Sequence, residues 1–149
     1  MKQKRYAGVL VRVGDKVLLC KRNNKGTLPG EWSVPGGSME EGENPVDGAM
    51  REFFEETHKH IEFPLNLCGM IERYTRDGKK VKGLMYVFCM DSPEEIHPDL
   101  ENAMDGDEHV DYRYFGLENL PTPLGEKLKE IIKKHSQFTT HVSRFTPHA

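Results

Sequence analysis

The segment that most limits how this chain can fold is residues 36–57, GGSMEEGENPVDGAMREFFEET, which crowds carboxylates directly after a pair of glycines. Six glutamates fall within seventeen positions: Glu40, Glu41, Glu43, Glu52, Glu55 and Glu56. Like charges three or four residues apart on a helix repel one another and destabilise it. The segment therefore indicates either an acidic surface helix or a site at which a cation compensates for the repulsion.

The second half of this segment carries the signals of a helix from about residue 45 to residue 57. Asn44 can cap the helix N-terminus, and Pro45 suits the first helical position. An apolar face is predicted from four residues at spacings of three and four: Val46, Ala49, Met50 and Phe53. The same spacings gather an acidic face, which we expect roughly opposite Phe53 and Val46: Glu52, Glu55 and Glu56.

The acidic face has the ligand chemistry of a magnesium site. Carboxylates are hard oxygen ligands, which suit Mg²⁺ or Mn²⁺ and disfavour soft metals. Divalent cations between carboxylates and a substrate can clamp phosphate oxygens and activate water. Because a pyrophosphate cannot approach several bare carboxylates, cations must bridge the two. The pattern therefore predicts metal-dependent phosphoryl chemistry.

The spacing of these residues resembles the signature of the Nudix hydrolases. Gly37, five residues, Glu43, seven residues and then REFFEE at 51–56 follow that family's pattern. The stretches LPGEWSVPGG and DEHVDYRYFGLENLP resemble its lead-in strand and its closing loop and strand. Two positions depart from the pattern, because His58 stands where the family has Gly and Lys59 where it has an apolar residue. His adopts the left-handed conformation of a helix cap more readily than most residues, so we expect the departure to affect local stability rather than the acidic face.

The resemblance implies an α/β fold, specifically a Nudix-type α/β/α sandwich with a central mixed β-sheet. It also implies a pyrophosphohydrolase that cleaves a nucleoside diphosphate linked to another group. On the family's pattern, Glu55 and Glu56 are the principal metal ligands, and Glu52 and the carbonyl of Gly37 complete the shell. The expected cofactor is Mg²⁺, with Mn²⁺ as a substitute.

The resemblance also assigns the remaining catalytic positions. Arg51 is expected to pair with the carboxylates, above all with Glu43, and to fix the start of the helix. In some branches of the family an acidic residue on a late loop supplies another ligand or the catalytic base. Glu108 is the first candidate for that residue, ahead of Asp107 and Asp111. Whether Glu52 or Glu108 acts as the base stays open.

Two weaker features bear on the substrate. Tyr74 lies near where members that cleave dinucleoside polyphosphates place a base-stacking tyrosine, although an ordinary strand aromatic is an equally good interpretation. Arg73 and Arg76 flank a basic hairpin tip, which is either a phosphate contact or a solvated turn.

These features rank the substrate hypotheses without deciding between them. The first is hydrolysis of adenosine-containing derivatives: diadenosine polyphosphates, ADP-ribose or dinucleotides such as FAD. The second is a nucleotide-pool sanitiser that cleaves oxidised or non-standard nucleoside triphosphates to monophosphate and pyrophosphate. The third, of another class, is a non-catalytic nucleotide-sensing domain. Hydrolysis of RNA caps is a fourth hypothesis, which the lack of an obvious basic extension weakens.

Length and charge limit the domain organisation and the partners. The 149 residues predict a single domain over 1–136 and a loosely ordered tail over 137–149. A net charge of −3 argues against bulk nucleic-acid binding, and no apolar run approaches the length of a membrane span. We therefore expect a cytoplasmic protein, monomeric or homodimeric, that acts on a small nucleotide. Its three cysteines are expected to be reduced and buried: Cys20, Cys68 and Cys89.

Hydrophobic patterning predicts the other elements. A first hairpin covers RYAGVLVRV and KVLLCKR, and a second covers LNLCGMIERYT and KGLMYVFCM, with Gly-Asp and Asp-Gly turns respectively. Residues 91–111 form a long polar loop, DYRYFGL a further strand, and PLGEKLKEIIKKH an amphipathic second helix.

Overall fold

The computed structural model describes residues 3–22, 30–75, 77–102 and 109–145; for residues 22, 109, 110 and 136–145 it describes the backbone alone. The elements in chain order are β1 Lys4–Val13, β2 Lys16–Arg22, β3 Trp32–Ser33, β4 Gly36–Ser38, α1 Pro45–Thr57, β5 Asn66–Tyr74, β6 Val81–Asp91, β7 His109–Gly116 and α2 Glu126–Phe145. Both predicted hairpins are present, as β1–β2 and β5–β6.

The strands form one mixed sheet in which β1 is central. The main order is β3-β2-β1-β6-β5, with β4 paired to β1 and β7 paired to β2. The β1–β6 pair is parallel, and the other pairs are antiparallel. A single strand, β1, therefore touches both the short β4 and the long β6, which places these two strands on either side of its first half.

The sheet is covered by one helix on each face, which confirms the predicted α/β/α sandwich. On one face, Ala49 and Phe53 of α1 pack against Val9 and Val11 of β1. On the other face, a second cluster joins Leu10 of β1 to two residues of α2, Leu128 and Ile132. Because both faces of β1 are buried, its sequence reads as a nearly continuous apolar run rather than as a strict alternation.

Helix α1 begins and ends where the sequence predicts. The side chain of Asn44 accepts a hydrogen bond of 2.9 Å from the backbone N–H of Asp47. At the other end, His58 has φ 57° and ψ 30°, and its N–H donates to the carbonyl of Phe54 at 2.8 Å. His58 therefore adopts the left-handed cap conformation that glycine usually provides.

The predicted apolar face of α1 is only half right. Ala49 and Phe53 are fully buried, but Val46 and Met50 remain 41% and 40% exposed. The acidic face does not lie opposite the core either, because Glu52 and Glu56 are themselves buried. The helix is rotated so that its glutamates, and not Val46 and Met50, face the sheet.

Helix α2 is longer than the amphipathic pattern predicts. It ends at Phe145 instead of near His135, so the backbone of residues 137–145 is helical. Residues 146–149 lie outside the described residues. The division into a domain over 1–136 and a tail over 137–149 stays a prediction. No helix among the described residues is long and apolar enough to cross a bilayer.

The expectation of three reduced cysteines is wrong for two of them. Cys68 of β5 and Cys89 of β6 form a disulfide, with their Cα atoms 5.9 Å apart. A register shift between Leu67 and Gly69 leaves Cys68 packed against the same core cluster as Cys89. Cys20 is buried, and its thiol donates to the carbonyl of Ser33 at 3.4 Å.

The cap residue gives a direct test of the local backbone. Because a residue with a Cβ is disfavoured at positive φ, His58→Gly should raise the free energy of unfolding by about 0.5–1 kcal/mol, net of the extra unfolded-state entropy of glycine. Chemical denaturation measures this change, and turnover should stay largely intact.

His60→Gly is the matched control for His58→Gly, since both imidazoles contact the ring of Phe54 but of the two only His58 has positive φ. The control should not be stabilised. A loss of stability in His58→Gly would show that the ring contact outweighs the backbone strain.

Candidate active site

Strand β4 and helix α1 bring the two glycines against two glutamates. The N–H of Gly36 donates to Oε2 of Glu56 at 2.8 Å, and this contact is buried. A Cβ on Gly37 would collide with the carboxylate of Glu52. The glycine pair is therefore required for close approach, because any side chain at Gly37 would displace the carboxylate.

Arg51 connects the acidic residues around this junction. Its Nε and Nη2 donate to the two carboxylate oxygens of Glu43 at 2.9 and 3.0 Å. Its Nη1 donates to Glu52 at 3.0 Å and to Glu55 at 2.7 Å. Nη2 also donates to the carbonyl of Ser38 at 3.0 Å. The predicted pairing of Arg51 with Glu43 is thus present, and the same guanidinium joins the acidic loop to the acidic face of the helix.

The electrostatics of the cluster follow from this arrangement. The hydrogen bond from Arg51 holds the pKa of Glu43 below its ordinary value. Reciprocally, the hydrogen bond to Glu43 raises the pKa of Arg51, so the guanidinium stays charged. The side chains of Arg51 and of the three glutamates that it binds are a quarter exposed or less. Water therefore screens their ion pairs only in part.

The oxygen ligands of the cluster have the chemistry that a hard divalent cation prefers. Two of the carboxylates, those of Glu52 and Glu55, would have to bind the cation as well as Arg51. As the side chains stand, no three His, Cys, Asp or Glu residues among those described are gathered in a metal-holding geometry. Instead, the guanidinium of Arg51 lies between Glu52 and Glu55 and pairs with both. The residues that can hold Mg²⁺ or Mn²⁺ are the carboxylates of Glu52, Glu55 and Glu56 with the carbonyl of Gly37.

A cavity of about 410 Å³ lies on the α2 side of the sheet. Its apolar lining includes Trp32, Val34, Ile71, Met85 and Leu128. Arg73, Tyr74 and Lys82 contribute polar groups to its lining. The volume falls in the range of small-molecule sites.

Comparison with known proteins identifies the family and the fold. A family model described as "NUDIX domain" matches residues 2–135. The chain belongs to the NUDIX domain family. The residues of the acidic cluster lie within the matched range.

Individual relatives agree with the assignment to the NUDIX domain family. The chain is similar to the "Uncharacterized Nudix hydrolase YvcI" of Bacillus subtilis, at 34% identity over 90 residues, covering 59% of this chain and 54% of that protein. It is also similar to the "Nucleoside triphosphatase NudI" of an Enterobacter species, at 33% identity over 63 residues, covering 42% of this chain and 45% of that one. The chain thus spans about half the length of these curated relatives.

A solved structure confirms the fold. The MutT NUDIX hydrolase from Burkholderia pseudomallei superimposes with a TM-score of 0.74 at 20% identity, covering 89% of this chain and 98% of that one. At this identity the match concerns the NUDIX fold alone.

Several predicted site residues of the NUDIX domain lie away from the acidic cluster or outside the described residues. Glu108, Asp107 and Arg76 lie outside the described residues, so their predicted roles stay predictions. Asp111 is on β7, where its carboxylate pairs with Arg113 at 2.7 Å. Tyr74 is half exposed, and its hydroxyl donates to Glu72 at 3.0 Å, which raises the pKa of Tyr74.

The structure adds contacts that the sequence does not indicate. Arg73 lies with its guanidinium 5.0 Å from the ring centroid of Tyr6 on β1. Arg5, also on β1, donates to the main-chain carbonyl of Glu43 at 3.0 Å. Tyr112 of β7 donates to the main-chain carbonyl of Glu56 at 3.4 Å. Each partner is at least 38 residues away in sequence, and two of the contacts are to main-chain atoms, so no local motif could have indicated them.

The pairing of Glu43 with Arg51 predicts a specific pH dependence of stability. The pKa of Glu43 lies below its ordinary value of 4.5 in the folded state. The ion pair therefore stabilises the fold above that value, and this contribution is lost as the pH falls through the lowered pKa. Glu43→Gln should lower the melting temperature at about pH 7 and have a much smaller effect at about pH 3.

Melting curves of wild type and Glu43→Gln across this pH range measure the effect. Glu62→Gln, which changes an exposed glutamate after α1, is the matched control and should shift the melting temperature little at either pH. A destabilisation by Glu43→Gln of equal size at both pH values would contradict the charge-based explanation.

Proposed function

We propose that this chain is a divalent-metal-dependent pyrophosphohydrolase that cleaves the diphosphate bond of nucleoside diphosphate derivatives. One observation carries the proposal. Glu52 and Glu56 lie in the interior against the glycine pair of β4, and Arg51 binds Glu52 and Glu55. A purely structural acidic helix would not need to place two of its glutamates in the interior.

The proposed cofactor is Mg²⁺, with Mn²⁺ as a substitute. When bound, it would neutralise charge on the diphosphate and lower the pKa of a coordinated water molecule. Glu52, Glu55, Glu56 and the carbonyl of Gly37 would hold it, with Glu108 as a further ligand. The ligands share hard oxygen chemistry, which is the preference of both ions.

The protein's own groups would position the reactants. Arg51 holds Glu52 and Glu55 at fixed directions through two hydrogen bonds from one nitrogen. Glu52 lies against the backbone of Gly37, where its carboxylate is a candidate to orient water or accept its proton. Glu108 is the alternative base. The role of Glu43 is to hold Arg51, because both of its carboxylate oxygens accept hydrogen bonds from that guanidinium.

For the substrate, we propose adenosine-containing derivatives first: diadenosine polyphosphates, ADP-ribose or FAD-like dinucleotides. The apolar cavity would take the nucleoside, and Tyr74 presents an exposed ring beside it for stacking on a base. Arg73, which lines the same cavity, and Arg76 would contact the phosphates. The substrate is a small nucleotide in this proposal, and the site of action is the cytoplasm, with the protein a monomer or homodimer that binds neither bulk nucleic acid nor membrane.

A second candidate is the hydrolysis of oxidised or non-standard nucleoside triphosphates to monophosphate and pyrophosphate. The similarity to a relative named as a nucleoside triphosphatase favours it. In this case too, the cavity would take the nucleoside. A non-catalytic nucleotide-sensing domain is the alternative from another class.

A substrate panel separates these functions. The purified chain is incubated with Mg²⁺ or Mn²⁺ and a set of nucleotides, and the products are identified by chromatography. AMP-containing products from dinucleotides support the first candidate, whereas pyrophosphate from oxidised dGTP supports the second. Nucleotide binding without turnover of any compound would contradict an enzymatic function and favour the sensing domain.

Glu56 provides a test of the site that spares the fold. The amide oxygen of a glutamine can still accept the hydrogen bond from Gly36, but it carries no negative charge and so binds a divalent cation more weakly than a carboxylate does. Glu56→Gln should therefore lower turnover by about 100-fold or more. Its melting temperature should stay within roughly 3 °C of wild type.

The control for this variant is Glu41→Gln, which removes an exposed carboxylate from the loop before α1. Steady-state kinetics should find it close to wild type. Near-normal rates for Glu56→Gln would mean that Glu56 is not a metal ligand.

A further inference from the structure

The loop that joins β4 to α1, residues 39–44, is attached to the start of β1 by Arg5. The guanidinium of Arg5 donates from Nη2 to the main-chain carbonyl of Glu43 at 3.0 Å. The carbonyl of Arg5 accepts a hydrogen bond from the N–H of Met39 at 2.8 Å. Arg5 therefore contacts the loop at both ends, once through its side chain and once through its backbone.

Glu43 is held by two arginines that bind different parts of it. Arg51 binds both carboxylate oxygens, while Arg5 binds the main-chain carbonyl. The backbone N–H of Glu40 also donates to the Glu43 carboxylate at 3.0 Å, so the turn folds back on the same residue. With its backbone and its side chain both fixed, Glu43 offers Arg51 an anchor of defined position.

This anchor links the two parts of the acidic site. Arg5 belongs to β1. This strand pairs with β4 in a register that places Gly37 opposite Ala7. Arg51 belongs to α1 and orients Glu52 and Glu55. Glu43 lies between the two arginines. A change in its position would therefore shift the helix carboxylates relative to the carbonyl of Gly37.

The charge of the loop makes such an attachment necessary. Glu40, Glu41 and Glu43 lie within four residues, and their mutual repulsion favours an open loop. The half-buried guanidinium of Arg5 supplies a positive charge next to them together with a directed hydrogen bond. Arg51 supplies the second positive charge, but it is shared with the helix.

We propose that Arg5 is a positioning residue for the metal site: by fixing Glu43 it orients Arg51, and through Arg51 it sets the geometry of Glu52 and Glu55 and hence the affinity for a divalent cation. Arg5 acts on these two carboxylates through Glu43 and Arg51. The inference rests on the proposed function for the identity of the site as a metal site.

The chemistry of the contact determines which substitutions test it. A neutral carbonyl accepts a hydrogen bond from any N–H donor that reaches it, so Arg5→Lys can retain part of the contact through its ammonium group. Arg5→Met keeps the apolar stem and removes every donor. Lys4→Met is the matched control, because it removes the same charge one residue away, from an exposed side chain.

The primary measurement is the dissociation constant of Mn²⁺ for the purified chain without substrate. Electron paramagnetic resonance measures it, through the signal of free Mn²⁺ in a titration. Arg5→Met should weaken Mn²⁺ binding by about 10-fold, as expected for loss of a residue that orients metal ligands. Arg5→Lys should fall between Arg5→Met and wild type. Lys4→Met should stay within roughly twofold, because an exposed charge is screened by salt.

Kinetics distinguish positioning from substrate contact. In Arg5→Met the Mg²⁺ concentration for half-maximal activity should rise by about the same 10-fold factor, while the KM for the nucleotide at saturating Mg²⁺ stays unchanged. An increased nucleotide KM with unchanged Mn²⁺ affinity would overturn the proposal, since Arg5 would then contact the substrate. Unchanged Mn²⁺ affinity and unchanged kinetics would overturn it as well.

Two further outcomes are kept apart by the design. If wild type binds Mn²⁺ but hydrolyses no nucleotide, the proposed function fails while the Mn²⁺ titration still tests Arg5. If circular dichroism finds Arg5→Met unfolded, Arg5→Gln takes its place, because its shorter side chain cannot span to the carbonyl. It must then show the same loss of Mn²⁺ affinity, or the proposal is overturned.

Discussion

The ion-pair network of Arg51 is the interaction on which the acidic site depends. A guanidinium is planar and permanently charged, and its N–H groups point in fixed directions, so it can serve several carboxylates at once. Here it joins Glu43 of the loop to Glu52 and Glu55 of the helix. Repulsion that would otherwise unwind the acidic face is thereby compensated within the chain itself. These contacts within the protein hold the three carboxylates close to one another.

A second constraint couples this network to the sheet. Gly36 has no room for a side chain against the backbone of Ala7, and Gly37 has none against Glu52. The glycine pair therefore satisfies two close contacts at once, one with the neighbouring strand and one with the helix. Because β4 is held by β1, the position of the helix carboxylates follows from the pairing of two strands. Glu56 reinforces this link by accepting the N–H of Gly36 in the interior.

The sequence predicted correctly those features that depend only on neighbouring residues. Asn44 and Pro45 start α1 as predicted, and the left-handed residue at its end is found at His58, because caps depend on the few residues around a helix terminus. The same reasoning failed for Val46 and Met50, which lie on the solvent side. Apolar spacing identifies a face that can be buried, but the glycine pair of β4 decides which face of α1 approaches the sheet. The Cys68–Cys89 disulfide was missed for a related reason, since it depends on the pairing of β5 with β6 and on a bulge at Cys68.

The sequence by itself determined the helix, its acidic face, and the spacing of Gly37, Glu43 and the REFFEE segment that places the chain in its family. These are short-range features, in which chemistry and spacing are read from consecutive residues. Only the tertiary structure decided that Arg5 holds the backbone of Glu43, and that residues of β3, β5, β6 and α2 enclose a cavity. The physical reason is that both depend on main-chain groups and on strands distant in sequence. A carbonyl is present at every position, so its partner is set by where the folded sheet brings it and not by the residue that carries it.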